Sequence, residues 1–365
     1  MTTTLKNFLK CRLPWILLAL MILGVAFFTY LPNKGMIGPV ELPRDDAMLD
    51  SQDVQWWYWT GHLESEDGHK FGFELVFFAF DQFVILKEQL VQGAITDITD
   101  QKFHFGEDVT FYNLPDVLPG AFDLSAENRH FAATAKGGGG ADRLTAEIGT
   151  KSFDLELKER KKPVLHYAGG PHPYRFGGYT YYYSREAMDA KGTLTIGDKE
   201  YKVSGTAWFD RQYGALLPAV TQGWQWFAIE LDDDRQLMLY YINGEKNEVE
   251  NYASLTDAAG ITHTFGPGEF TITTLDTWTS PNTQCVYPAH WRIEINGETL
   301  LVKPLVADQE LHAKHGLWAS PVYWEGASGV QSPDGRDIGQ AYVELNGFCR
   351  GKMVDLKNLE PRPKR

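Results

Sequence analysis

The stretch Trp56-Trp57-Tyr58-Trp59, followed after the turn Glu66-Asp67-Gly68 by Phe71-Gly72-Phe73-Glu74-Leu75-Val76-Phe77-Phe78, reads as a β-hairpin of unusual aromatic density. A second unit of the same kind opens on Trp224-Gln225-Trp226-Phe227 and continues past Asp232-Asp233-Asp234 as Gln236-Leu237-Met238-Leu239-Tyr240-Tyr241. The closing strands match as well. Tyr182-Tyr183 and then Gly205-Thr206-Ala207-Trp208-Phe209-Asp210 in the first half correspond to Tyr323-Trp324 and then Gly339-Gln340-Ala341-Tyr342-Val343-Glu344 in the second, both ending in Gly-x-Ala-aromatic-apolar-acid. Such a repeat means that one β unit has been duplicated, with a boundary near residues 215–223.

Outward from these stretches the pattern persists. Short apolar and aromatic runs alternate with turn signals such as Lys191-Gly192, Ile196-Gly197-Asp198 and Asn296-Gly297, and helical i, i+3, i+4, i+7 stripes are nearly absent after the N-terminal segment. The four glycines 137–140 read as a hairpin tip, since no helix pattern and no Lys-Ser/Thr follows to make a phosphate cradle. The expected class is therefore all-β, as two tandem antiparallel barrels over residues 53–218 and 219–356. A closed barrel removes sheet edges, and one of about eight strands holds one small ligand. With period two along a strand, Trp208 and Asp210 share a face opposite Phe209; Trp224, Trp226, Ala228 and Glu230 share another, as do Gly72, Glu74, Val76 and Phe78.

The N-terminus is different in kind. Lys6, Lys10 and Arg12 precede an uncharged apolar run from Leu13 to Tyr30, just long enough to span a bilayer as a helix. No small-x-small site follows, which favours a retained anchor over a cleaved signal for residues 1–31, with residues 32–52 as a tether. The basic flank places the body of the chain outside the cytoplasm, in the cell envelope and anchored to the inner membrane or secreted. With those three residues set aside from the 34 basic ones, 31 Lys and Arg face 48 Asp and Glu, a net charge of −17. A body so acidic repels nucleic acid and anionic lipid surfaces, and suits a neutral or hydrophobic ligand. Cys285 and Cys349 are too few for a disulfide framework; one pair and two separate buried thiols are both consistent with the sequence.

These landmarks resemble the AttH-like or "predicted secreted hydrolase" family, grouped with carotenoid 1,2-hydratase. The matching pieces are Gln55 to Leu63 with Gly72 to Leu75, Tyr181-Tyr182-Tyr183-Ser184, Gly205 to Gly214, Gly223 to Phe227 and Tyr323-Trp324-Glu325-Gly326, in order along the chain. The resemblance implies tandem lipocalin-like domains and, for the hydratase branch, protonation of an isoprenoid C=C bond followed by water addition without a redox cofactor. That branch carries Tyr-His-Asp-His-Asn-Trp-Gly where this chain has Trp208 to Gly214. Asp210 and Gly214 match, while Phe209 and Arg211 replace the two histidines, so the chain looks more like the secreted AttH-type branch.

Asp210 is the leading candidate for catalysis. In an aromatic barrel a carboxyl loses hydration and can hold a proton at neutral pH. The structural alternative has Asp210 pairing with Arg211 or capping the turn before Gly214. Glu74 and Glu230, lone acids in aromatic strands, are candidates for a general base or for solvent-facing positions, and Glu344 stands as the counterpart of Asp210. Trp57, Trp59, Tyr183, Trp208, Trp224 and Trp226 are candidate ligand-binding residues or core. No metal site is expected from the scattered histidines, no cofactor is expected, and the common hydrolase motifs are absent from the sequence. The expected function is binding, with cofactor-free hydration or hydrolysis, of a large isoprenoid, carotenoid or lipid-like ligand. The alternative is a non-enzymatic carrier serving an ABC-type permease.

Overall fold

The computed structural model describes residues 35–50, 52–80, 88–111, 118–220, 222–243, 249–312 and 322–350. The expected N-terminal anchor lies outside these residues. Among the described residues, no helix is long and apolar enough to cross a membrane.

Two antiparallel sheets, each curled around its own core, make up the body. The first runs in the spatial order Lys102–Phe111, Glu88–Asp97, Lys70–Phe80, Val54–Ser65, Lys199–Ala215, Tyr179–Ile196, Lys151–Glu159, Ala141–Ile148, Phe131–Gly138, Phe122–Glu127. In the second the order is Thr262–Phe265, Val249–Thr256, Gln236–Asn243, Trp224–Leu231, Asp337–Leu345, Tyr323–Gln331, Glu298–Pro304, Val286–Ile295, Phe270–Thr279. In both, the opening strand of the half pairs with its closing strand. Tyr58 sits opposite Val76 on one side and Asp210 on the other, as Trp226 sits opposite Tyr240 and Glu344. The same register places Ser184 across from Asp210 and Glu325 across from Glu344. The duplication read from the sequence is thus repeated residue by residue in the ladders.

Strand alternation divides the apolar side chains among three cores. Trp57, Trp59, Phe73, Leu75, Tyr183, Phe209 and Tyr213 fill the first barrel, and Phe227, Leu239, Trp291, Trp324 and Val343 fill the second. The opposite faces of the same strands meet in a third core between the halves, built from Tyr58, Val76, Tyr182, Trp208, Trp226, Tyr240 and Tyr342. Fully burying one such side chain contributes roughly 1.5–3 kcal/mol. This third core fuses the barrels into one body. Gly72 shows how closely they approach: a Cβ there would stand 2.8 Å from the Cβ of Ala327 in the other half.

The segment expected to be a tether packs, over residues 40–50 and at Gln52, against the first barrel. Asp46 is fully buried and receives Nη1 and Nη2 of Arg185 at 2.8 and 2.9 Å, the Tyr183 hydroxyl at 2.5 Å and the Gly139 amide at 2.7 Å. Asp45, equally buried, accepts from the Tyr213 hydroxyl at 2.8 Å. The glycine run does form a hairpin tip, and its backbone serves this internal carboxylate. In the second half Cys285 and Cys349 are joined by a disulfide, which resolves the choice left open by the sequence.

Candidate active site between the barrels

A cavity of about 60 Å³ lies between the halves, not inside either barrel. Its walls include Trp56, Tyr58, Phe78, Tyr174, Trp224, Trp226 and Tyr240, and Tyr182, Asp210, Glu325 and Glu344 bring polar groups to it. Space of this size holds a few water molecules or one end of a ligand, well below the ~300–1,000 Å³ of pockets that enclose a drug-sized molecule. Trp56, Phe78, Val220 and Trp224 are only half-buried, which marks the side on which the cavity reaches the surface. A larger space of about 600 Å³ flanks the first barrel beside Gln89, Thr110 and Thr134, where the carboxylates of Asp123, Glu127 and Glu147 face outward rather than converge.

Asp210 forms one corner of the interbarrel cavity. Its Oδ1 accepts from Ser184 Oγ at 2.5 Å and from the Trp208 indole at 2.7 Å, and Oδ2 accepts from the Tyr182 hydroxyl. Tyr182 in turn accepts the Trp226 indole N–H at 3.0 Å. Behind Ser184, His166 Nε2 lies 2.8 Å from Oγ. Since the single Ser184 proton goes to Asp210, Nε2 must be the donor, leaving Nδ1 as the bare nitrogen; that atom is buried and has no partner among the described residues. Burial pushes the Asp210 carboxyl up, and its three donors limit the rise to about 6. Asp210 is therefore an anion at neutral pH. Burial drives His166 down to about 3, so the ring is neutral.

The other carboxyls at and beside the cavity have no cation acting on them. Tyr58 donates to Glu325 across the seam, and Glu344 faces Glu325 in the ladder with the Trp224 indole beside it. Glu74 is fully buried next to them, and neither of its carboxyl oxygens has a hydrogen-bond partner. Burial pushes Glu74 and Glu344 up to about 8, with the charge of Glu344 adding to the rise at Glu74 and that of Asp210 to the rise at Glu344. Glu325 is raised well above the carboxylate range, first by burial and then by Glu74 and Glu344. All three are neutral acids at pH 7. One small cavity thus joins an ionised carboxylate to a protonated group.

The expected site residues separate along strand faces. Asp210, Trp224 and Trp226 line the cavity and Trp208 supports Asp210, whereas Glu74 lies behind the wall. Glu230 is half-buried outside the lining, near Thr206. Trp57, Trp59 and Tyr183 belong to the interior of the first barrel, where their polar atoms are used by Asp46 and Asp142. Arg211 also points inward, its guanidinium 3.8 Å above the Trp57 ring, so it does not pair with Asp210. The carboxyl expected inside a barrel is in fact on its outer face. Sequence reasoning left out Tyr58, Tyr182, Ser184, Glu325 and His166. Period-two parity with Asp210 and Glu344 could have found the strand residues, but nothing in the spacing marks His166.

Two groups of potential metal ligands occur among the described residues, His69 with Asp97 and Asp100, and Glu310 with the disulfide cysteines; neither lines the cavity.

A model of the AttH-like family matches residues 33–348. A solved structure of an AttH protein from Nitrosomonas europaea is 28% identical, with a TM-score of 0.76, covering 87% of this chain and 100% of that one. Kievitone hydratase from Nectria haematococca is 16% identical, with a TM-score of 0.66, covering 87% of this chain and 98% of that one, a likeness of fold. No curated protein sequence matches the chain significantly.

Proposed function

The chain belongs to the AttH-like family, and from that premise we propose that it hydrates a C=C bond of a hydrophobic, isoprenoid-like ligand by acid/base chemistry in the cavity between its barrels. The observation that carries this reading is the pairing of an ionised Asp210 with neutral acids around one aromatic-lined space. Hydration needs a proton for one alkene carbon and an acceptor for the proton of the attacking water. The aromatic faces of Trp56, Trp224 and Trp226, together with the Asp210 charge, stabilise a developing carbocation. Only the reacting end of the ligand enters the acid-lined space; its apolar remainder leaves past Phe78 and Trp224. Kievitone hydratase shares this fold, which is consistent with water addition. The two positions at which the hydratase branch carries histidine, Phe209 and Arg211, turn into the first barrel, so their replacement leaves the cavity untouched. An envelope location, on the outer side of the membrane, completes the proposal.

The test uses the full chain in detergent. Bound lipid is extracted and identified by mass spectrometry, and farnesol is incubated with wild type and Asp210→Asn in heavy-oxygen water. Label in an alcohol product from wild type alone supports hydration at Asp210. Equal labelling in both variants removes Asp210 from the reaction. A co-purifying isoprenoid that is never turned over favours the carrier serving an ABC-type permease.

A further inference from the structure

Asp210 and Glu344 are equivalent members of the duplicated unit, each opposite the matching residue of its opening strand, and both face the same cavity. A duplicated acid could have been left idle in the second barrel. Instead the packing of the outer faces brings the two copies together. Resting on the hydration reading above, we propose that Glu344 is the proton donor of the reaction and works together with Asp210 in the cavity that both line.

The assignment follows from what each carboxyl already does. A donor must face the ligand and carry a proton at neutral pH. Asp210 faces the cavity but accepts three hydrogen bonds and is ionised. Glu74 is protonated but lies behind the wall. Glu325 lines the cavity, yet it is tied to Tyr58 and Tyr323 and is fully enclosed. Glu344 alone of the four is half-buried, lines the cavity and is neutral. Burial and the charge of Asp210 favour its acid form against the Trp224 indole, with no cation among these groups, and the charge of Glu344 acts in turn on Glu74 and Glu325. Two carboxyls whose surroundings push their titrations apart are the arrangement from which acid and base roles are assigned.

In the step itself the Glu344 O–H bond breaks as a C–H bond forms on one alkene carbon, leaving a carboxylate and a carbocation. Water oxygen bonds to the cationic carbon and its proton passes to the Asp210 carboxylate, directly or through Tyr182. Return of that proton to Glu344 through solvent restores both groups, and the net change is alkene plus water to alcohol.

The experiment compares Glu344→Gln and Glu344→Asp with wild type in the full chain, using farnesol hydration against pH and the infrared carboxylic-acid C=O band at pH 7. The expected result is a loss of about 100-fold or more in kcat for Gln with little change in KM. Also expected are a missing component of the acid band and the disappearance of the alkaline limb near pH 8. The Asp variant, which keeps a carboxyl, retains that limb and part of the rate. A Gln variant with the wild-type rate and profile overturns the donor role while leaving hydration standing. Equal loss in Gln and Asp overturns it in favour of packing. Wild type that leaves farnesol unhydrated sinks the hydration reading and the donor role with it.

Discussion

Tyr58 of the first half donates its hydroxyl to Glu325 of the second, while Trp226, the residue equivalent to Tyr58 by register, donates its indole N–H to Tyr182 of the first. The two halves exchange reciprocal contacts across one seam, and the cavity lies between those contacts. A barrel that kept its ligand inside would need no such exchange. Here apolar and aromatic side chains pack the two barrel cores, and the cavity lies on the outer faces that duplication placed against each other.

The Tyr58–Glu325 bond separates two kinds of loss. Tyr58→Phe strips a donor from a buried carboxyl and is expected to cost about 1–3 kcal/mol. Glu325→Gln preserves a neutral group of the same shape and is expected to cost clearly less, because Glu325 is already protonated. Chemical denaturation of both variants gives the comparison. A Gln variant as damaged as the Phe variant would mean that Glu325 is an anion in the native protein.

Ser184 sets the charge of Asp210. Without its 2.5 Å hydrogen bond the carboxylate loses one of three donors. A hydrogen bond to a charged group contributes about 1.5–3 kcal/mol, or about 1–2 pKa units. In Ser184→Ala the titration of Asp210 should move from about 6 to above neutrality, as followed by carboxyl-carbon NMR of labelled aspartate. Removing the buried His166 ring by His166→Phe should move it in the same direction and by less, since the ring acts only through Ser184. An Asp210 titration unmoved in Ser184→Ala would break the chain of donors.

Much of the fold was legible in the sequence because period two is a local signal. The matched hairpins, the closing strands and the shared face of Trp208 with Asp210 all follow from it. What parity cannot say is which face of a curled sheet is its inside. Trp57 and Trp59 point into the first barrel while Tyr58 points out of it, and only the docking of the second half turns that outer face into the wall of a cavity. His166 is harder still: it reaches Ser184 from a short turn in which Tyr167 and Ala168 take left-handed φ of 55° and 54°, a geometry that no propensity announces. The segment Val40–Gln52 was opaque for a similar reason, since prolines and charges normally mark solvated chain, and Asp45 and Asp46 are exceptions through partners more than a hundred residues away.

The buried aspartates of that segment give a stability prediction. Arg185 is 2% exposed and holds fully buried Asp46 with two nitrogens. Arg185→Met leaves the carboxylate to Tyr183 and the Gly139 amide. Removing one partner of such a pair is expected to cost about 3–5 kcal/mol. Asp46→Asn with Arg185→Met should recover part of the loss, because neither buried charge is then left alone. Double-mutant denaturation curves measure the recovery. Additive losses would mean that the pair is not coupled.

The seam also dictates how stability depends on pH. Glu74, Glu186 and Glu344 are raised from 4.5 to about 8, and Asp210 from 3.8 to about 6, in each case chiefly by burial. The folded chain therefore binds more protons than the unfolded one between those limits, and the contribution of these groups is full below the unfolded value and lost as pH rises through the folded one. His62 and His166 work in the opposite sense, lowered from 6.5 to about 4 and about 3 by burial, so their contribution is present above pH 6.5 and lost as pH falls through the folded values. Above pH 6.5 the histidines add nothing further and only the acids continue to titrate. The melting temperature should consequently fall between pH 6.5 and 8.5. Glu74→Gln, which replaces an unpartnered neutral acid by a neutral amide, should flatten that decline and leave the protein more stable than wild type at pH 8.5. Thermal melts of both chains across this range decide the matter: parallel declines would show that Glu74 does not titrate within the seam.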